Sequence, residues 1–393
     1  MRRVLFLFSV FMLFSTQVFA SGFAVKDQGT KAMGMANAFV AVADDASAAW
    51  YNPAALAFQP GTSITAGGQY VIPSVDYTGG SGNGSMDKEN FLIPFAYLSY
   101  NSDALPVALG LAINSPFGLS SDWTNSTTTF VGALGATTFS EIKAINFNPV
   151  AAFKVNENLS IAIGGSYYLV TDVAFDTSVA VQHGDGDGFG GTAAVFYTSD
   201  AFNVGVTYRS RVKVDVEGTT TVGANSTAAT TSVTFPDMIS AGFAFHPADN
   251  WLLSFQYDWV NWKTFDELKF DYAANIGLGT SITIPENWKA SNSFSVGAEW
   301  EYNSKMRARF GYAYDQTPVS DVEFTPRIVD NDRHFFTIGY GYSISDNTVI
   351  DVAYGYIRVN DRTQTASVGA NAGRNGTYEA DLHIVSASFS HRF

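Results

Sequence analysis

Along most of the chain, apolar and polar residues alternate with a period of two, the mark of strands that keep one face in an apolar medium. In 251–259, Trp251, Leu253, Phe255, Tyr257 and Trp259 share one face, while Ser254, Gln256 and Asp258 share the other. Phe294, Val296, Ala298, Trp300 and Tyr302 oppose Ser293, Ser295, Gly297, Glu299 and Glu301; Met306, Ala308, Phe310, Tyr312 and Tyr314 then oppose Arg307, Arg309, Gly311, Ala313 and Asp315. Further runs follow through His334–Tyr342, Ile350–Tyr356 and the terminal strand, where Val385, Ala387, Phe389, His391 and Phe393 align. The repeated faces are rich in Tyr and Trp, whereas the buried face of a secreted sandwich would favour Val, Ile and Leu. Aromatics near strand ends suit the interfacial girdles of a membrane barrel.

Candidate strands begin near Thr62, Asn90, Pro106, Ser140, Leu159, Gly188, Phe202, Val233, Trp251, Ser291, Met306, Arg333, Thr348 and Thr377. That predicts an all-β fold, a 14-stranded antiparallel transmembrane barrel over 61–393, even-numbered as bacterial barrels are. Polar turns at 156–158, 248–250, 303–305 and 345–347 alternate with longer Gly/Ser/Thr-rich connectors at 75–89, 216–232 and 361–376, the asymmetry of short periplasmic and long external loops.

Composition agrees with a lipid-facing surface. Charged residues make up 15% of the chain, against roughly 25% for a soluble domain, and aromatics another 15%. No stretch after the N-terminal region approaches the roughly 18 apolar residues of a helical span, which leaves a closed barrel as the way to satisfy the backbone in lipid. Arg2 and Arg3, an apolar run over 4–14 and the small residue Ala20 predict an export signal over 1–20 that is removed, so that the mature protein starts at Ser21. The absence of cysteine fits an exported protein without proving it. A net charge of −14 argues against nucleic acid, which requires clustered cations.

Residues 21–60 lack the period of two. Lys31–Val40 and Asp44–Trp50 are rich in small, helix-permissive residues, broken at Asn52-Pro53, and predict a helical hatch. Small residues on the inward faces, among them Gly110, Gly164, Gly190 and Gly205, favour placing that hatch inside the lumen rather than in the periplasm.

Catalysis finds little support. The histidines at 183, 246, 334, 383 and 391 have no metal-ligand spacing and there is no nucleophile motif; no cofactor or metal is expected. Gly184–Gly188 reads as a glycine-rich turn lacking the later glutamate of a calcium loop. If a ligand carries a carboxylate, cations in a dry lumen would receive it. Because Val204, Val206 and Tyr208 face lipid, Arg209, Arg211 and Lys213 are expected inside, with Arg307 and Arg309. The alternative is that these cations pair with Glu299, Glu301, Asp315 and Asp351 and merely knit the interior. After Val107, Leu109, Leu111 and Ile113, the run Asn114-Ser115-Pro116-Phe117-Gly118 breaks the ladder, since Pro116 cannot donate; it is either a strand end or an opening in the wall.

The run from Gly22 to Leu56, together with SPFGL at 115–119, 249–268, PENWK at 285–289 and 309–333, resembles the FadL/TodX family of outer-membrane transporters for long-chain fatty acids and hydrophobic compounds. The similarity covers essentially the whole mature chain in order. It implies a monomer in the outer membrane of a Gram-negative bacterium, in contact with its lipids. Function would be capture of a hydrophobic ligand by external loops, transfer to a lumenal pocket, and lateral exit through a wall gap at Ser115, Pro116 and Gly118. The resemblance further implies that Asn52, Pro53 and Ala54 tie the hatch to the wall, and that Ser21, Gly22, Phe23 and Phe117 lie near the ligand. Long-chain fatty acids are the expected substrates; a monoaromatic hydrocarbon transporter or a diffusion porin are the alternatives.

Overall fold

A computed structural model describes residues 22–80, 82–102, 104–126, 130–132, 135–367 and 369–393; the expected export signal and Ser21 lie outside them. The alternating sequence folds into fourteen antiparallel staves. They are β1 (Gly61–Gly79), β2 (Phe91–Asn101), β3 (Ala108–Asn114, resuming as Gly118–Asp122), β4 (Gly135–Lys154), β5 (Leu159–Thr177), β6 (Val181–Thr198) and β7 (Phe202–Arg209 and Val212–Val222). Then come β8 (Asn225–Phe235 and Met238–Ala248), β9 (Trp251–Val260 and Glu267–Tyr272), β10 (Ser281–Pro285 and Ser291–Asn303), β11 (Met306–Asp315), β12 (Arg333–Ser345), β13 (Thr348–Val359 and Arg362–Gln364) and β14 (Gly376–Arg392). Each pairs with its sequence neighbour, and β14 returns to β1 in continuous register from Ser63↔Arg392 to Gly79↔Gly376. The sheet is therefore closed, the terminal strands pairing with each other instead of leaving two free edges.

The faces fall as the alternation dictates. On β9, Phe255 is 47% exposed while Ser254 is fully covered; Phe336, Ile338, Val352, Val385 and Phe389 likewise point out to where lipid lies. Several connectors expected as long external loops are instead continued strand. Thr- and Val-rich 212–222 and 225–235 pair residue for residue as a hairpin, and 75–79 remains in β1, where Asp76–Gly79 pair with Gly82–Ser85.

One expectation fails on β7. Arg209 is buried, but Arg211 and Lys213 are exposed, and Val212, Val214 and Val216 are buried instead. The ladder to β6 runs Arg209↔Thr192 and then Asp215↔Asp187, so β7 carries one extra residue at the break. Such a bulge turns every later side chain to the opposite face. Arg211 meets Asp237 at 3.2 Å and Lys213 meets Asp215 at 2.6 Å, both in exposed positions.

Residues 22–58 lie within the staves. Only Thr30–Met33 (α1), Ala48–Tyr51 (α2) and the 3₁₀ turn Pro53–Phe58 are helical; the rest coils, with Ala36, Asn37 and Ala43 at positive φ. The segment is held to the wall by side chains it cannot supply itself. Gln256 of β9 accepts from the N–H groups of Phe39 and Val40 at 2.9 and 2.8 Å, and Thr337 of β12 accepts from Ala36. Gly205 of β7 shows why the lumenal face is small: a Cβ there would sit 2.1 Å from the Val40 carbonyl oxygen. Gly164 and Gly190, by contrast, abut wall valines rather than this segment.

Candidate functional site

The interruption of β3 is the place to begin. Pairing of β2 with β3 stops at Ala96↔Ile113, although β2 continues to Phe91 along β1. Beyond 115–117, β4 is the one stave that β3 pairs with among the described residues, from Gly118↔Lys143 to Asp122↔Phe139. The side of β3 that β2 would occupy is thus unpaired in the wall over the length of that stretch, until Asp122 accepts from the Asp87 N–H at 2.7 Å above it. Proline at 116 makes the break, having no N–H to give.

The N-terminal residues pair with the start of that edge, at 115–118. Ala24 pairs antiparallel with Phe117: Val25 N–H donates to the Pro116 carbonyl and Gly118 N–H to the Phe23 carbonyl, each at 2.8 Å. Gln28 adds a bond from Nε2 to the Ser115 carbonyl at 3.0 Å. All three residues expected at the break, Ser115, Pro116 and Gly118, therefore hold the N-terminal segment.

This strand addition delivers Phe23 into an aromatic box, where it is fully buried. Its ring centroid lies 4.5 Å from Trp262, 5.3 Å from Phe265, 5.6 Å from Trp288, 6.1 Å from Phe235 and 6.4 Å from Phe117. Phe117 stacks on Phe235 at 4.6 Å. The indole N–H groups of Trp262 and Trp288 are buried without an acceptor among the described residues. Gly22 has φ +63°, and a Cβ there would lie 2.4 Å from Trp288, so glycine is needed on both counts. Its N–H donates to Asp330 at 3.1 Å. Asp330 also takes the Thr317 hydroxyl at 2.7 Å and an ion pair from Arg333, and belongs to a connector, 316–332, folded inward at the barrel mouth.

Sequence reasoning reached Phe23 and Phe117 but not Phe235, Trp262, Phe265, Trp288 or Asp330. The two tryptophans lie in 249–268 and in PENWK at 285–289, stretches that carry the family resemblance, and being off the period of two is their one usable signal.

The Asn52-Pro53-Ala54 turn is fastened at both ends. Asn52 Nδ2 donates to the carbonyls of Val40 at 3.0 Å and of Val195 in β6 at 3.1 Å, its Oδ1 caps Ala54 N–H at 3.1 Å, and Pro53 opens the 3₁₀ turn. The Ala54 carbonyl accepts from Ser160 of β5 at 2.7 Å.

The lumenal arginines separate into two kinds. Arg309 bridges Glu299 and Asp351, each at 2.6 Å, and Arg307 pairs with Glu301 at 2.9 Å. Lys31 of the N-terminal segment reaches Asp44 at 2.7 Å and Glu299 at 3.8 Å. Lys26 pairs with Asp315 at 2.8 Å. Arg209 alone of the four arginine candidates shows no carboxylate partner among the described residues; its guanidinium lies 3.8 Å above the Trp50 ring.

Asp27 adds a pH response to the segment. Burial pushes its carboxyl up to about 6, partly offset by the Asn37 amide that donates to it at 2.6 Å. Since the folded value exceeds the ordinary 3.8, the stabilising contribution is complete below the unfolded pKa and is lost as pH rises through the folded one. Acidification from pH 7 to 5 should therefore tighten residues 22–58 by on the order of 1 kcal/mol. Amide hydrogen exchange of 26–37, corrected for intrinsic rates, should slow at pH 5, and Asp27→Asn should flatten the response. Faster corrected exchange at pH 5 would refute the assignment.

Residues 11–393 match the model of a family described as outer membrane protein transport protein (OMPP1/FadL/TodX). A long-chain fatty acid transport protein of Salmonella typhi is 25% identical, the alignment covering 88% of this chain and 89% of that protein. The crystal structure of a Pseudomonas aeruginosa FadL homologue superposes with a TM-score of 0.82 at 20% identity, covering 95% of this chain and all of the other. The Ralstonia pickettii toluene transporter TbuX gives 0.72 at 18% identity, over 94% of this chain and all of that one.

Proposed function

Because the chain belongs to the outer membrane protein transport family, OMPP1/FadL/TodX, we propose that it carries long-chain fatty acids inward and releases them sideways through the break in β3. The observation that carries this reading is the strand formed by Phe23–Val25, which at once closes the wall at Phe117 and fills the aromatic box. One displacement empties a binding site and opens a lateral exit. Residues 1–20 serve as a cleaved export signal, 21–60 as the hatch and 61–393 as the barrel; transport, not catalysis, is the activity.

Magnitudes favour a long alkyl ligand. Exposing the Phe23 ring and releasing the two backbone bonds costs roughly 3–6 kcal/mol. An acyl chain that moves about sixteen methylenes out of water supplies roughly 13 kcal/mol at about 0.8 per CH₂, whereas a single aromatic ring would replace Phe23 about one for one. Lateral release keeps that gain, since the chain passes from box to bilayer without returning to water. Long-chain fatty acid transport proteins among the relatives support the same substrate class.

Expression in a Gram-negative host lacking its own long-chain fatty acid transporter tests the proposal. Uptake of labelled oleate should be restored, with no steady ion current from the purified protein in planar bilayers. A folded, outer-membrane-inserted protein that leaves oleate uptake at background would overturn it.

A further inference from the structure

We propose that Arg209 and Trp50 form a second lumenal station, beside the wall break, that binds the carboxylate head of an amphiphilic acid after the acid has passed the aromatic box. This rests on the lateral-exit reading and adds the chemistry of the headgroup. Arg209 is 6% exposed, yet Nε and Nη2 have no hydrogen-bond partner among the described residues. Those two N–H groups form the side-on fork of a guanidinium, the pair that a carboxylate engages with its two oxygens. A buried unmatched cation is costly, and stacking on Trp50 at 3.8 Å offsets only part of that.

Arg209 lines a cavity with about 60 Å³ of free space, bounded also by Ala24, Lys26, Pro116 and Asp258. That volume accommodates several waters, hence a carboxylate. Two of the bounding residues, Ala24 and Pro116, belong to the closure of the β3 break, so the cavity and the lateral exit share a wall. Asp258 is near enough to interact with Arg209 electrostatically but forms no ion pair with it among the described residues, and its Oδ1 accepts from Ser240 at 2.6 Å and from Gln256 at 2.8 Å. Lys26 is engaged by Asp315, leaving Arg209 as the cation open to an acid. The station holds the head inside while the tail enters the bilayer, and it distinguishes an acid from a neutral hydrocarbon of equal length.

The test measures binding of labelled oleate and oleyl alcohol to the full mature chain in lipid nanodiscs, with empty discs subtracted. Arg209→Met should weaken oleate binding by roughly 10–100-fold, the value of a charge-assisted fork, and leave oleyl alcohol unchanged. Arg209→Lys should fall between. Heat-modifiable gel mobility reports folding, and Arg209→Gln supplies a second folded variant should the methionine form fail. Equal oleate affinity in wild type and a folded variant would overturn the station while leaving lateral fatty-acid transport standing. Parallel loss of oleate and oleyl alcohol would also overturn it, by assigning Arg209 a structural role. Failure of wild type to bind either compound would remove the transport reading, and the station with it.

Discussion

Arg309→Met should lower the stability of the folded barrel by about 3–5 kcal/mol, the loss expected when one partner leaves a buried ionic cluster. Arg309 is 2% exposed and joins Glu299 of β10 to Asp351 of β13. To do so it crosses β12, where a Cβ at Gly341 would lie 2.7 Å from the Asp351 carboxylate and 2.9 Å from the Arg309 guanidinium. Removing the cation leaves Asp351 with no other ion-pair partner among the described residues, while Glu299 retains Lys31 and Arg307 at 3.8 and 3.9 Å. The effect should therefore be largely relieved by Asp351→Leu in the same chain, which removes the orphaned charge. Urea unfolding followed by heat-modifiable mobility reads both variants. A stability within about 0.5 kcal/mol of wild type for Arg309→Met, the range of an ordinary surface change, would show that the cluster is solvated rather than buried.

The same residues explain what sequence could and could not disclose. Strand positions were legible because a sheet wetted by lipid on one side imposes a period of two, which the exposed aromatics of β9 to β14 obey, although Phe270, Tyr272, Phe335 and Tyr378 on the same staves are buried. The same rule failed at β7, where valines lie on alternate positions both before and after Ser210. Below the bulge they face lipid, and above it they face an apolar lumen. When both surroundings are apolar, hydrophobicity no longer tells inside from outside, so Arg211 and Lys213 were expected on the wrong face. Residues 316–332 carry no period and gave no hint that they fold into the mouth and present Asp330 to Gly22.

The site was legible in part. Proline in an otherwise clean strand marked the β3 break, because a missing donor has the same consequence wherever the strand lies. Its closure by Phe23–Val25 depends on a contact across some ninety positions, which only the fold brings together. The arginines could not be ranked from sequence at all. Arg209 and Arg309 both face inward; what separates them is an ion pair with carboxylates on other staves, which Arg309 makes and Arg209 lacks among the described residues.

The hatch and the exit meet at Ala24 and Phe117, and the chain's lack of cysteine makes that contact directly testable. The bonds on either side identify the two as a non-hydrogen-bonded antiparallel pair, whose Cα atoms lie about 4.5 Å apart, inside the usual disulfide range of about 4.4–6.8 Å. Ala24→Cys with Phe117→Cys should therefore bond when oxidised, fastening the N-terminal strand across the break. Phe117→Cys alone controls for the lost ring. Oleate uptake by cells carrying the oxidised pair should fall to the background of cells without the protein, and return on reduction to the level of the single variant. Undiminished uptake with the disulfide demonstrably formed would contradict lateral exit through this opening.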